Sequence, residues 1–548
     1  MAFSNNGRIR VNVTGARGAL GIDLQGTPTP GQYLVKGAGG GRSFTAVTPP
    51  GTIANAVKIT DLANSTGANL VGYGGRSLND KLKESVSVKD APFNAVGDGV
   101  NDDTAEIQAA IDFVESNGGG TVFLPRSTYK TTGPIYLRSK VSLVGDGPAS
   151  ILRPNVCHGI IIEKSDEIAP RRVANLRIYG NGGENFSGIY ADVSFPDRVQ
   201  GMVFENLFID FFGTVIRGKG FWHTSFKSIR ANQCRRGVWI YNRAVKITID
   251  DCSFIRGGAI VNTEDSVGLQ IGDEASGLRP EDVQVTNSII FGFDIGVRIR
   301  QALFGGIVNC DIDACTSKVF EIITADGGFT IDDNWCDIIG STGNLYGIHA
   351  LPLGYDPPPI NISITNNRIR VPNTSTAGAE AAGMLFEQNQ SNYMVMGNSL
   401  TGDAPIAIRA EGVTSGRVER CEFIANKASG QARFFNMAGC SIDKNTFDGG
   451  IILSGNVNMN YGKNFGAHTT QIRCSISIPA GQTSATATYF SMNMPDLPLG
   501  GYEISAVATE RSTEAGRAVS VNPTRSQVTV TVPTAGNASG VDVHIDIF

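Results

Sequence analysis

The sequence predicts an all-β protein: a right-handed parallel β-helix with a short N-terminal head, a capping helix and a C-terminal β-sandwich. Three observations predict it. A six-residue cell recurs from Val203 to Phe447: an apolar residue, two mostly polar ones, a small or amide residue, any residue, then another apolar one. Its copies are spaced by about 22 to 24 residues with occasional insertions, the period of a stacked-coil architecture. Helical spacing precedes the repeat, and strand-like alternation follows it.

The cell reads Val203-Phe-Glu-Asn206-Leu-Phe208, Ile249-Asp-Asp-Cys252-Ser-Phe254, Ile307-Val-Asn-Cys310-Asp-Ile312, Ile331-Asp-Asp-Asn334-Trp-Cys336, Ile364-Thr-Asn-Asn367-Arg-Ile369 and Val418-Glu-Arg-Cys421-Glu-Phe423, among others. A coil this short has no room for a helix pair. It fits three short strands joined by tight turns, and stacking buries what one coil cannot bury alone. The fourth position, at 206, 229, 252, 288, 310, 334, 367, 398, 421 and 445, is read as a side-chain ladder at a turn.

Taken in order, residues 1–80 form a Gly- and Thr-rich head, in which Ile9-Arg-Val-Asn-Val13 suggests a small β element and Gly37–Gly41 a linker. The β-helix spans 81–465. A helix over 103–117, started by Asp102 or Asp103, places Ile107, Ala110, Ile111 and Val114 on one face and stops at Gly118–Gly120. Such a helix covers the raw core at the open end of a solenoid. Residues 470–548 alternate in strands such as Tyr502–Ala508, Gln527–Val532 and Val541–Phe548, the pattern of a β-sandwich.

Composition narrows the partners. The formal net charge is −5 and charged residues make up 18% of the chain, which argues against nucleic acid or an anionic membrane. No apolar run is long enough to span a bilayer. The N-terminus lacks the basic and apolar regions of a signal peptide. The nine cysteines show no paired or metal-ligand spacing, which fits folding in a reducing cytoplasm without a cofactor.

The run Val88-Lys-Asp…Asn94-Ala-Val-Gly-Asp-Gly-Val-Asn-Asp-Asp-Thr-Ala-Glu-Ile-Gln-Ala-Ala-Ile111, followed by Gly119-Gly-Thr-Val-Phe-Leu-Pro125, resembles the opening motif of the pectate-lyase-like superfamily. More narrowly it is similar to bacteriophage tailspike depolymerases, which usually read Lys-Asp-Phe-Gly-Ala where this chain has Ala91-Pro92 inserted and Asn94 for the glycine. The resemblance implies a homotrimer, made in the host cytoplasm and carried on the virion. It would be joined to a phage tail or baseplate protein through its N-terminus, and would bind and cut a bacterial surface polysaccharide. It also implies a trimerisation or sugar-binding role for 470–548.

The sequence carries no zinc-protease, serine-elbow or polygalacturonase signature, so the candidates come from the geometry of stacking. With the first apolar residue numbered zero, positions 0 and 5 face inward and 4 and 6 outward. Position 4 collects Ile289, Asp311, Trp335 and Arg368; position 6 collects Phe291, Asp313, Asp337 and Arg370. Asp313 and Asp337 are predicted one rung apart, near the separation of a retaining glycosidase, with Asp311 in a longer pairing that suits inversion. Trp335 would stack on a sugar, and Arg368 and Arg370 would meet acidic groups. Asp251 and Asp333, at position 2, fit turn chemistry.

A second strip carries Trp239 and Tyr241, then Arg298 and Arg300, on Gly-Val-x-Ile segments, with Glu321 following. It suits either a polysaccharide groove or packing between subunits. Inserted loops after Cys252 hold Glu264, which with Glu321 is a reserve acid; those around Asp356 and from Thr374 to Ala382 would wall a groove. Two other functions remain open. A polysaccharide lyase would use a Tyr or His base with Arg298 and Arg300, and a non-cutting adhesin would use the solenoid as a binding shaft.

Overall fold

The computed structural model describes residues 75–461 apart from 166–170, 258–265, 274–277, 301, 324, 352–360, 414–415, 455 and 457–459; outside that stretch it describes little beyond the backbone of strands. The central region is a parallel β-helix, in which each strand pairs in parallel with its counterpart one coil on. Three sheets run its length. Sheet 1 includes Val245–Asp250, Glu281–Thr286, Ala302–Val308, Ala325–Asp332 and Ile362–Thr365. Sheet 2 includes Ser253–Arg256, Ile289–Phe291, Asp311–Cys315, Trp335–Ile338 and Arg368–Arg370. Sheet 3 includes Val267–Ile271, Ile295–Ile299, Lys318–Ile322, Leu345–Ala350, Ala381–Phe386 and Ile406–Glu411.

The inward positions follow the predicted alternation. Ile307, Ile312, Ile331 and Ile364 are fully buried, and they belong to one continuous core. Position 2 turns the corner from sheet 1 to sheet 2 in the left-handed region: Asp251, Asn287, Asn309, Asp333 and Asn366 have φ of 50° to 55°. Asn and Asp tolerate that conformation better than other side chains, so turn geometry accounts for Asp251 and Asp333. Asp251 is further occupied by Arg230 at 3.0 Å and the Ser228 hydroxyl at 2.6 Å.

Position 3 forms the ladder, most regular in its amide part. Asn334 Nδ2 donates to Asn367 Oδ1 at 2.9 Å, Asn367 to Asn398 at 3.0 Å, Asn398 to Asn426 at 2.9 Å and Asn426 to Asn445 at 2.9 Å. Two cells of the sequence reading are displaced. Phe204, not Val203, is in register with Phe226, which puts Leu207 on the ladder and Asn206 at the turn. Val395 is in register with Phe423, so the ladder passes through Asn426. Cys421 instead receives its coil neighbour at another corner, its N–H donating to Cys440 Sγ at 3.3 Å.

The helix Thr104–Ser116 packs on the first coils with Ile107, Ala110, Ile111 and Val114 fully buried. Asp103 sits at its N-cap, but its carboxylate accepts from Val96 and Gly97 instead, pinning the preceding loop. Asp102 accepts from the Thr104 N–H. The Gly-Val-x-Ile segments enter sheet 3 where coils approach closely: a Cβ on Gly237 would lie 2.3 Å from the Gly268 carbonyl oxygen, and one on Gly296 2.4 Å from Ile312 Cγ2.

At the N-terminus, strands including Ile9–Asn12 form a five-stranded sheet. At the C-terminus, Ile472–Ile478, Val541–Ile547 and Ile504–Glu510 pair antiparallel in one sheet, and Ser484–Thr488, Gln527–Thr531 and Ser520–Pro523 in another.

Candidate active site

On sheet 2 the outward positions make a continuous strip. The register runs Ile289, Asp311, Trp335, Arg368 in one column and Phe291 to Asp313 in the other, with Asp337 beside Arg370. Its apolar members are unusually open: Ile289 is 42% exposed, Phe291 41% and Trp335 51%. Large exposed apolar groups beside carboxylates on a rigid sheet are the surface expected for sugar faces and hydroxyls. The loop after Arg370 borders the strip on the side of sheet 3. Ser375 N–H donates to Ser341 O at 2.8 Å and the Thr374 hydroxyl to Gly343 O at 2.7 Å, so this loop stacks on that of the preceding coil.

The carboxylates divide differently from the predicted pairing. Asp337 is 6% exposed and receives both forks of Arg370, Nε to Oδ1 and NH2 to Oδ2, each at 2.6 Å. That bidentate pair commits Asp337 to the neighbouring arginine and takes Arg370 away from substrate. The register between Asp311–Cys315 and Trp335–Ile338 also shifts after Ile312, at a bulge where Ala314 has φ 55°.

Asp311 is in the opposite situation. Its Oδ1 is buried and has no hydrogen-bond partner. Burial, and then the charge of Asp313, push Asp311 above the usual carboxylate range. Asp313 accepts the Ala314 N–H at 2.6 Å. The pair therefore holds one carboxyl biased toward its protonated form beside a second that is bonded to a backbone donor.

The second predicted strip lies on the outward face of sheet 3 and is largely neutralised. Arg217, Trp239, Gln270, Arg298, Glu321 and His349 follow in register. Glu321 accepts Arg298 Nε and Lys318 Nζ, each at 2.5 Å. Burial alone would raise its pKa, but Arg298 and Lys318 overcome it and hold Glu321 below the ordinary value. Glu321 is thus unsuited as the reserve acid, and Arg298, 9% exposed, is not free for a uronate. Tyr241 is 8% exposed, and Trp239 lies under two guanidiniums, Arg217 at 4.7 Å and Arg236 at 4.9 Å. Arg300 follows the strand Ile295–Ile299, its N–H bonded to Ile271 O. Glu264 and the segment around Asp356 lie outside the described residues.

Arg298→Met is expected to cost about 2 kcal/mol at neutral pH, because it leaves a buried carboxylate with Lys318 alone. Glu321 has a depressed pKa, so its contribution exists above the unfolded value near 4.5 and is lost as pH falls through the folded one. Denaturant titrations of both proteins should show the gap at neutral pH and its narrowing as the pH falls below the unfolded value of 4.5.

Sequence reasoning missed a further polar group on this face. Tyr346 and His349 lie with ring centroids 4.5 Å apart; His349 Nε2 meets Glu387 Oε1 at 2.7 Å, and Arg409 bonds Glu380 at 2.6 Å and also Glu411. Tyr346 and His349 are 5% and 6% exposed. Burial and Glu380 push the Tyr346 hydroxyl up to about 12, which suits no base near neutral pH. Carrying the column Arg298, Glu321 one coil further would have found His349. Among the described residues no group of three or more His, Cys, Asp or Glu is arranged to hold a metal.

Residues 85–181 match the family described as rhamnogalacturonase A/epimerase, pectate lyase-like, the region that carries the opening motif. The chain is 29% identical over 347 residues to the tail spike protein of Shigella phage Sf6, covering 60% of this chain and 54% of that protein. It thus spans about half the length of that relative. A shorter stretch of 68 residues, 11% of this chain and 5% of the relative, is 48% identical to a mannuronan C5-epimerase of Azotobacter vinelandii. Among solved structures, a mutant tailspike protein of E. coli bacteriophage HK620 in complex with pentasaccharide matches with a TM-score of 0.48 and 14% identity, over 89% of this chain and 99% of that one. The chain is therefore similar to phage tail spike proteins and carries a pectate-lyase-like region at the start of its solenoid.

Proposed function

We propose that this chain is a tailspike depolymerase of the virion that hydrolyses a bacterial surface polysaccharide at the sheet 2 strip, with Asp311 as general acid and Asp313 as general base. The observation that carries this is the buried, unpartnered Oδ1 of Asp311 beside Asp313, on an outward surface that also presents Trp335. The similarity to a phage tail spike protein supports the polysaccharide as substrate class.

Asp311 and Asp313 leave the same face of one strand two residues apart, about 7 Å at the usual strand rise. That spacing suits inversion, with room for water between base and sugar. Protonated Asp311 gives its proton to the glycosidic oxygen as the bond to the anomeric carbon breaks. Asp313 takes a proton from the water whose oxygen forms the new bond, and both carboxyls reset through solvent. Ile289 and Trp335 flank Asp311 and keep it from bulk water, while Arg368, two coils on from Asp311, offers a donor to the bound chain.

The lyase reading fits less well, since Arg298 is neutralised by Glu321 and Tyr346 is held protonated. The test is the anomeric configuration of the first product, followed by NMR on a polysaccharide that the protein depolymerises. Inversion supports the Asp311–Asp313 assignment; retention would return the role to a closer pair.

Trp335→Ala is expected to raise KM about tenfold, because ring stacking binds ground and transition states alike, and also to lower kcat, because it opens Asp311 to water and weakens the bias toward its protonated form. Initial rates over a range of polymer concentration would show it.

A further inference from the structure

We infer that Arg217, held between aromatic rings on sheet 3, is a subsite for a carboxylate-bearing sugar. Tyr190, Arg217 and Trp239 are in direct register on three successive coils. The Arg217 guanidinium carbon lies 4.7 Å from the Trp239 centroid, 5.6 Å from Tyr241 and 5.7 Å from Tyr190. Its Nε is buried and has no hydrogen-bond partner. Guanidinium stacking on rings fixes the group; the Tyr241 hydroxyl engages part of it, and the unpartnered Nε leaves a donor edge suited to capture of a carboxylate.

The contrast along the same face makes the case. Arg298 is answered by Glu321, and Arg409 by Glu380 and Glu411. Arg217 has no carboxylate partner among the described residues. The nearby Asp192 is engaged instead by Lys219 at 3.1 Å and by the Tyr190 hydroxyl at 3.3 Å. On the far side of Tyr190, His158 stacks at 4.3 Å with an interplanar angle of 5°, and its Nδ1 accepts the Ser187 N–H at 2.9 Å. Burial and Arg217 push the His158 pKa down. A neutral imidazole with Nδ1 so occupied carries its proton on Nε2, which adds a donor and no acceptor. In a chain of net charge −5 this patch offers cation, donors and ring faces together.

The site lies on a different sheet and in earlier coils than Asp311, so it holds the polymer without cutting it. The inference rests on a surface polysaccharide being the ligand, and it adds that the polysaccharide is acidic. It is tested by calorimetry of the full chain with a glucuronate-containing tetrasaccharide, and with the same tetrasaccharide after reduction of its carboxyls.

The acidic form should bind and the reduced form should not. Arg217→Gln should weaken binding at least about tenfold, the loss of a charge-assisted hydrogen bond. Arg217→Lys, which keeps the charge and loses the fork, should weaken it less, and this variant carries the test if Arg217→Gln fails to fold. Equal binding of the reduced form, binding unchanged in both variants, no binding by the native chain, or displacement by equimolar inorganic sulfate would overturn the inference. The readout is binding, so a chain that binds and does not cut would sink the hydrolase assignment and leave this one standing.

Discussion

Asp311→Asn is expected to lower kcat for depolymerisation by about 10³-fold, within the range that a general acid supplies. The amide keeps the shape and cannot give a proton to the leaving oxygen. Asp313→Asn should cost a similar factor, and the double variant little more than either alone, because the two carboxyls act as a unit. Asp337→Asn should cost much less than either, since that carboxylate is spent on Arg370.

The pH dependence separates this loss from unfolding. Asp311 has a raised pKa in the folded chain, so its ionised form is disfavoured there; the stability it lends is present at low pH and lost as pH rises through the raised value. Asp311→Asn should therefore be at least as stable as the native chain at neutral pH while being inactive. The basic limb of the rate profile should mark loss of the Asp311 proton and vanish in the variant. Loss of activity accompanied by a lowered unfolding midpoint would count against a catalytic role.

The second large effect is structural. Asn367 is fully buried and accepts the Asn334 N–H at 3.1 Å and the Asn334 side-chain amide at 2.9 Å; its own amide donates to Ile331 O and Asn398 Oδ1. Asn367→Ala would leave two donors of Asn334 unsatisfied in the core and open a gap in the ladder. At about 1 to 3 kcal/mol for each buried group left without a partner, the loss should be about 4 kcal/mol. It should appear as a lower guanidinium midpoint. Ser375→Ala, on the loop beside the strip, removes one exposed hydroxyl bond and should stay within about 0.5 kcal/mol. A similar loss in both would mean that the ladder carries no special share of the stability.

Much of this fold was legible because stacking repeats the same environment every coil. Ile307, Ile331 and Ile364 recur in phase, and the Asx residues at position 2 mark a left-handed corner. The phase slipped where two apolar residues adjoin, at Val203-Phe204, and where Val418 mimics the start of a cell although the register partner of Val395 is Phe423.

The site was legible as columns and not as partnerships. Column arithmetic brought Asp337 beside Asp313, but it placed Arg370 next to Asp337 as well, and a carboxylate takes the cation over its like. Asp311 stands between Ile289 and Trp335 in the predicted column, but a column does not show that one of its oxygens ends up buried and without a partner. Glu321 was placed one coil after Arg298 by the same arithmetic, but that placement did not show that Arg298 and Lys318 both turn onto its carboxylate and occupy it.

The most direct measurement is mass spectrometry of products made in heavy-oxygen water, using a bacterial surface polysaccharide that the protein depolymerises. Hydrolysis at the Asp311–Asp313 pair predicts one heavy oxygen per cut, at the new reducing end, and no such product from Asp311→Asn. Products that carry no solvent oxygen and end in an unsaturated sugar would contradict it and move the chemistry away from these two aspartates.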